Sequence, residues 1–380
     1  MKLCLINNLF GEQARGGAEK IIKLLAETLV SRGHEVVVIC GANCSTIKIT
    51  YLNKIKVFTV PSKYETLAGK SLFYRFIFHW FSFFNVIAAR RLSQIIKQEE
   101  VDLVWTNNLV GLSLLSFKFL GPVKLVHTFH DIQLLHPSGL MMYQRENVLT
   151  SLPAKVYQAL IKLVFPKKVL TIFPSQWLKS VYEQNNFLPE NNLVLPNPVK
   201  NEIASNSILA HDKFTFLYLG QLESHKGIEL LIKAFLLLEN KNSQLLIAGQ
   251  GKLETNLRKK YSADNLKFLG QVAKPELVMS MADCLVVPSL CYENLPTVIL
   301  EALNNNLAVI GSKLGGIKDM LSEEQLLFTP IEDDLVRILN WCLTNQVALK
   351  QLTQQVKQKI KLITVDDYLL RVGEKLKITF

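Results

Sequence analysis

FTFLYLGQLESHKGIELLIKAF, residues 214–235, is the stretch that decides the fold. Phe214–Leu219 is an almost wholly apolar run of strand length, as in a strand covered on both faces. The polar loop Gly220–Gly227 follows, and a helix is expected through Phe235. A strand, a loop and a helix in that order make half of a βαβ crossover. The same unit recurs in both directions. Strands are expected at Lys2–Ile6, Glu35–Cys40, Val57–Val60, Val101–Trp105, Val123–His127 and Val169–Phe173, then at Gln244–Ala248, Leu266–Leu269, Cys284–Val287 and Ala308–Ile310. The class is therefore α/β, with parallel, doubly wound sheets.

The chain has 380 residues, which suits two or three domains. A break is expected within Leu195–Lys213, where LPNPV stops any helix and the polar run NEIASNS follows. It divides the chain into residues 1–200 and 201–365. In such sheets ligands gather at the carboxyl ends of the strands. Two domains facing each other would form a cleft lined by the loops after their strands.

Composition narrows the classes. Apolar residues are 49% and charged residues 20%, so the chain can bury enough surface to exclude disorder. Six cysteines without a C-x-x-C pair read as buried, reduced thiols of a cytosolic protein. MKLCLINNLF is interrupted too early by Asn7 and Asn8 to be a secretory leader, so no export is expected. A net charge of +11 invites nucleic acid, an anionic membrane or anionic small substrates. The Lys and Arg are dispersed and no nucleic-acid-binding pattern is present, which leaves no nucleic-acid partner. Residues 71–89, SLFYRFIFHWFSFFNVIAA, precede Arg90 and Arg91. They read as a buried helix, as an interfacial helix with basic flanks or, least well, as a membrane span.

Four junctions carry chemistry. Gly16 and Gly17 stand before a helix with apolar positions Ile21, Ile22, Leu25 and Leu29. They form either an ordinary tight turn or a set of amides open to an anion. Lys226 stands where the next helix begins, either screened by solvent or offset by a bound phosphate. Glu293-Asn294-Leu295-Pro296-Thr297-Val298 leads into a helix containing Glu301. Asn294 or Leu295 is expected near the N-cap, with Pro296 in the first turn. Carboxylates there suit vicinal hydroxyls of a sugar or ribose, unless Glu301 simply favours the helix dipole. His130-Asp131 ends the strand Val123–His127. With His136 nearby the spacing is not that of a standard metal site, and no metal is expected.

Taken together, these residues resemble the retaining GT-B glycosyltransferases of family 4, over nearly the whole chain. GGAE at Gly16–Glu19 resembles the family's N-terminal glycine loop, and His130-Asp131 its central His-Asp. LPNPV at Leu195–Val199 is similar to its interdomain motif, GQLESHKG at Gly220–Gly227 to its lysine loop, and IAGQG at Ile247–Gly251 to its glycine turn. Glu293 and Glu301 match its E-x₇-E, and Gly315-Gly316 its next double glycine.

The resemblance implies two Rossmann-like domains facing across a cleft: an acceptor-binding domain (1–200, with a helix over 366–380 packing back on it) and a donor-binding domain (201–365). It implies that Lys226 holds the donor diphosphate, Glu301 the ribose and Glu293 the transferred sugar. Asn294, Leu295, Pro296, Thr297 and Val298 would cradle the phosphates, with Gln221 and Gly249 on the donor side. Gly16 and Gly17 would approach the diphosphate, and His130 would lie beside sugar and acceptor. Lys226, Glu293 and His130 are the expected catalytic residues. The expected substrates are a nucleotide-diphospho-sugar, UDP-linked ahead of GDP-linked, and a saccharide or lipid-linked acceptor of cell-surface synthesis. Neither cofactor nor metal is expected. The site would be cytoplasmic, with residues 71–91 against the inner face of an anionic membrane. One departure stands out: Gln221 replaces the family's usual Arg, so either Lys226 and the helix amides suffice, helped by Arg15, Arg145 or Lys313 as stand-ins, or the enzyme is slow or inactive. A catalytically weak binding subunit and a sugar-nucleotide epimerase are the alternatives.

Overall fold

The computed structural model describes residues 1–11, 16–64, 71–200, 212–240 and 242–380. Fourteen strands are present among them: β1 Lys2–Ile6, β2 Glu35–Ala42, β3 Lys48–Leu52, β4 Ile55–Pro61, β5 Leu103–Thr106, β6 Lys124–Thr128, β7 Leu170–Phe173, β8 Asn192–Val194, β9 Phe214–Leu219, β10 Ser243–Ala248, β11 Leu266–Gly270, β12 Cys284–Val287, β13 Ala308–Ser312 and β14 Leu327–Phe328. They form two sheets, ordered β3-β4-β2-β1-β5-β6-β7-β8 and β11-β10-β9-β12-β13-β14. All neighbours pair in parallel except the β3–β4 hairpin.

The second order is the doubly wound Rossmann arrangement, and the first repeats it with an added hairpin strand and an eighth strand. Leaving the β3 hairpin strand aside, each order reverses once, between β1 and β5 in one sheet and between β9 and β12 in the other. Those two switch points are where such a sheet leaves room for a ligand.

The two compact units differ in how the chain builds them. The first contains Met1–Leu140, Glu146–Pro196 and Val365–Phe380; the second contains Met141–Arg145 and Asn197–Thr364. The five residues Met141–Arg145 thus belong with a sheet whose strands begin some 70 residues later. They are held there by an antiparallel bridge between Met142 and Cys291. Tyr143 N–H donates to Leu290 O at 2.9 Å, and Tyr292 N–H donates to Met141 O at 2.8 Å.

Local sequence explains the elements. The helix Gly17–Ser31 buries Ile21, Ile22, Leu25, Ala26 and Leu29 on one face. Each buried Leu or Ile contributes roughly 1.5–3 kcal/mol of transfer free energy. Leu25→Ala would therefore cost about 2–5 kcal/mol. The helix ends before Gly33, which adopts φ +84. In the second unit Val286, Ile310, Leu285 and Val309 are essentially inaccessible, as expected of parallel strands covered on both faces. The helix Val365–Leu376 lays Tyr368 against Trp105, ring centroids 6.2 Å apart and stacked. Asp366 forms an ion pair with Arg32.

Residues 71–89 are not one element. Leu72–Phe83 and Val86–Gln98 are separate helices, divided where Asn85 turns its side chain to accept from Ala88 N–H at 3.0 Å. No helix among the described residues is long and apolar enough to cross a membrane. All six cysteines are free, and only Cys44 is not buried.

Candidate active site

In the second unit the site is built at the switch point. After β9 the chain makes a short 3₁₀ turn, Ser224–Lys226, then Gly227 at φ +70, and only then the helix Ile228–Leu236. Lys226 therefore ends a turn rather than opening the helix. A Cβ on Gly227 would lie 1.8 Å from Pro288 O, so this turn must be glycine to pass the loop after β12. That close approach lets Lys226 reach across. Its Nζ lies 2.8 Å from Glu293 Oε2.

Glu293 is gripped on its other oxygen by the Ser289 hydroxyl, which donates to Oε1. Burial alone would raise the Glu293 carboxyl, but Lys226, Ser289 and His225 outweigh it and hold it below the usual carboxylate range. Burial alone would lower the Lys226 ammonium, but Glu293 outweighs it and holds it above its ordinary value. Both groups are charged at neutral pH. His225, half-buried beside Lys226, is pushed down by burial and by the Lys226 charge and stays neutral.

Backbone completes this half. The loop after β12 leads to Pro296, which is the N-cap, and the helix runs Thr297–Asn304. The helix start expected at Pro296 is thus one residue later. Pro296 has ψ 113, extended backbone, because the chain is still turning into the helix. Glu301 is the fifth helical residue and is half-buried. A Cβ on Gly316 would fall 1.5 Å from Asn294 O, and Gly316 N–H donates to Glu293 O at 2.7 Å. The double glycine after β13 thereby fixes the Glu293–Asn294 backbone. A Cβ on Gly249, at φ +138, would lie 1.8 Å from Gly220 O. The Gln221 carbonyl accepts from the Tyr218 hydroxyl at 2.6 Å.

Of the stand-ins for the missing arginine, Lys313 is ion-paired with Glu324 at 2.7 Å. Arg145 lies in the short segment that pairs with Leu290 and Tyr292. Arg15 lies outside the described residues.

The first unit places different chemistry at its own switch point. Gly16 N–H is not open: it donates to Glu19 Oε2 at 2.8 Å, which caps the helix that Gly17 begins. Around the ends of β1, β5 and β6 lies a buried polar group that the sequence analysis did not single out. Asn108 N–H donates to Asn7 Oδ1 at 3.1 Å, and Asn7 Nδ2 donates to Leu9 O at 2.7 Å. Gln133 bonds Asn108 through its amide, and its Oε1 accepts from Leu109 N–H at 3.2 Å. Asn8 Oδ1 is buried and bonds nothing among the described residues. An atom so placed is one that a ligand hydroxyl or water satisfies.

His130 belongs to this group, with Nε2 2.9 Å from Asn107 Oδ1. Burial lowers it to about 4, so its ring is neutral at physiological pH. Asp131 accepts from Gln133 N–H at 2.7 Å, and burial lifts its carboxyl to about 7. The signal for these amides was present as Asn7-Asn8 and Thr106-Asn107-Asn108, short polar runs directly after apolar ones. No cluster of three metal-ligating side chains occurs among the described residues.

A cavity of about 430 Å³ also opens at the carboxyl ends of β2 and β4. Pro61, Ser62, Asn43, Phe78, Phe81 and Arg91 are among its lining. Beside it Trp80, Phe81, Phe84 and Ile87 are exposed, Phe81 to 73%.

Two family models match the chain. "Glycosyltransferase Family 4" matches residues 15–202 and "Glycosyl transferases group 1" matches residues 199–361. The phosphatidylinositol N-acetylglucosaminyltransferase gpi3 subunit of Schizosaccharomyces pombe is 26% identical, over 94% of this chain and 76% of that protein. Among solved structures, sucrose-phosphate synthase from Thermosynechococcus elongatus superposes with a TM-score of 0.74 at 18% identity, covering 99% and 98% of the two chains. Anabaena HepE, solved in complex with UDP, superposes with a TM-score of 0.70 at 20% identity, covering 99% and 100%.

Proposed function

Because the chain belongs to the group 1, family 4 glycosyltransferases, we propose that it moves a sugar, with retention, from a nucleotide-diphospho-sugar to a saccharide or lipid-linked acceptor of cell-surface polysaccharide or glycolipid synthesis. The observation that carries this reading is the Lys226–Glu293 pair at the switch point of the second sheet, beside the N-terminus of the helix Thr297–Asn304.

The donor diphosphate takes Lys226. A phosphate offers the ammonium a stronger partner than a single carboxylate, and the amides around Thr297 and Val298 add the positive end of a helix. Glu293, relieved of Lys226 but still held by Ser289, turns its free oxygen to hydroxyls of the transferred sugar. Glu301 takes the ribose hydroxyls, and Gly249 and Gly316 keep the backbone close. As the bond to the anomeric carbon breaks, charge grows on the leaving diphosphate, where Lys226 and the helix amides stabilise it. The acceptor hydroxyl attacks from the face the nucleotide leaves. His130 serves the sugar and acceptor side, and Gly16 and Gly17, on the same domain, bring their loop toward the diphosphate. The scheme draws its positive charge from Lys226 and calls on no metal. With Gln221 in place of arginine, the leaving group meets one fixed charge fewer.

UDP is favoured as the nucleotide because a neighbour of the same fold binds it. A lipid-linked acceptor is favoured by the S. pombe relative, named for a phosphatidylinositol substrate. The exposed Trp80, Phe81, Phe84 and Ile87 beside Arg90 and Arg91 suit peripheral contact with an anionic, inner-face membrane.

Calorimetric titration with UDP, GDP and ADP, on the native chain and on Lys226→Ala and Glu301→Ala, tests the donor half. Selective UDP binding weakened by both changes is expected. No binding to any of the three would favour the weak binding-subunit reading. Sedimentation with anionic and with zwitterionic vesicles tests the membrane half, and equal recovery in the two pellets would remove it.

A further inference from the structure

Asn107 has no part in the scheme above, yet it is 3% exposed and touches the one imidazole the scheme uses. Its backbone N–H donates to Ile6 O at 2.9 Å, which ties the end of β5 to β1. Its side-chain Nδ2 lies 3.3 Å from Ile6 O and 3.5 Å from Trp105 O. Both are carbonyl oxygens, which only accept. The NH₂ of the amide must therefore face the sheet, and the oxygen must face away from it.

That oxygen lies 2.9 Å from His130 Nε2. An amide oxygen also only accepts, so the ring nitrogen has to donate. We infer that Asn107 is a positioning residue that locks His130 in the Nε2–H tautomer and makes Nδ1 the ring's accepting nitrogen. The inference deepens the assignment of His130 to the reaction and rests on it for its functional meaning.

The consequence is chemical. An imidazole held this way accepts a hydrogen bond from a hydroxyl and brings no second positive charge to the acceptor side. Two carbonyls at the ends of neighbouring strands thus set, through one amide, which nitrogen meets the substrate. His127 is engaged with Thr106 Oγ1 at 2.9 Å, and the Asp131 carboxylate accepts from Gln133 N–H.

The test is a two-bond ¹H–¹⁵N correlation spectrum of the full chain labelled at histidine, with the His130 signals identified by their loss in His130→Gln. At pH 7 the native protein is expected to show the Nε2–H pattern. Asn107→Asp keeps the shape but places a carboxylate against Nε2–H, which favours the imidazolium. The His130 midpoint should rise by about 1–3 pH units, and the acid limb of the transfer-rate profile should move with it. Asn107→Ala should give a mixture of tautomers with unchanged near-ultraviolet dichroism. An Nδ1–H pattern in the native chain, or an unmoved midpoint in folded Asn107→Asp, would overturn the inference. If Asn107→Asp does not fold, the native spectrum alone decides. Absence of sugar transfer with the Nε2–H pattern intact would sink the proposed reaction and leave the tautomer assignment standing.

Discussion

At the ends of β9 and β12 the second domain holds a charged pair, Lys226 and Glu293, both ionised at neutral pH. At the ends of β1, β5 and β6 the first domain holds Asn7, Asn107, Asn108 and Gln133 around two neutral imidazoles, His127 and His130. The strand order around both switch points is the same. Burying polar groups has two physical solutions: pair the charges, or keep every group neutral and hydrogen-bonded. The second domain uses the first solution, and the amide group of the first domain uses the second, Asn8 Oδ1 apart. The paired site can exchange its internal counter-ion for an anionic ligand, while the neutral site presents donors and acceptors suited to hydroxyls.

The contrast can be broken most severely at the pair. Lys226→Ala leaves Glu293 buried without its counter-charge. Transfer should fall by about 10²–10³-fold, and the chain should lose roughly 2 kcal/mol, less than for a fully enclosed pair because Lys226 is partly open. Progress curves and urea melts read the two effects. Glu293→Gln keeps the ammonium and the shape, so the loss in transfer should be smaller, about 10²-fold. Calorimetry should then show UDP affinity largely retained.

Acid should act on the first domain before the second. His127 and His130 are held down to about 3 and about 4, so protons that the unfolded chain takes up below pH 6.5 are refused by the folded one. Stability is then lost as pH falls from 6.5 toward 4, at about 1.4 kcal/mol per histidine per pH unit. Asp131 works the other way. Its carboxyl is raised to about 7, so the folded chain keeps a proton that the unfolded one releases, and this offsets one histidine. Asp131→Asn should therefore steepen the acid loss about twofold. Glu293, held low, keeps the second domain's pair intact across this window. Hydrogen exchange at pH 5 should show β5 and β6 less protected than at pH 7, and β9 and β12 changed less, since His225 is the one histidine held low among the described residues of the second unit. Equal loss in both sheets would erase the distinction.

Ser289→Ala should be milder, about tenfold in transfer, since it frees Glu293 to rotate without removing its charge. Smallest of all, Asp366→Ala should change stability by less than about 1 kcal/mol, because its pair with Arg32 is at the surface. A thermal melt is sufficient to read it.

The same contrast explains what the amino-acid sequence disclosed. Strands such as Cys284–Val287 and Phe214–Leu219 matched their expected limits because continuous apolar runs leave few other options. β3 was missed because KITYL is an exposed edge strand with no buried face to pattern it, and β8 and β14 because three and two residues carry no period. Lys226 and Glu293 are 67 residues apart, and only the family resemblance paired their roles. The amide group of the first domain carried no such flag. Asn7 and Asn107 look like ordinary loop residues until the sheet brings the ends of β1 and β5 side by side.

The short segment Met141–Arg145 has a consequence for how such chains can be recombined. The second unit begins at Asn197 in its main span, yet its Leu290–Tyr292 loop is bridged by Met141 and Tyr143, which precede that span by more than 50 positions. A fragment cut at 197 would expose the edge of that loop, and a graft joined there would receive another protein's segment against its own loop after β12. The heritable module is therefore discontinuous. Exchange of the whole second unit between relatives requires two insertions.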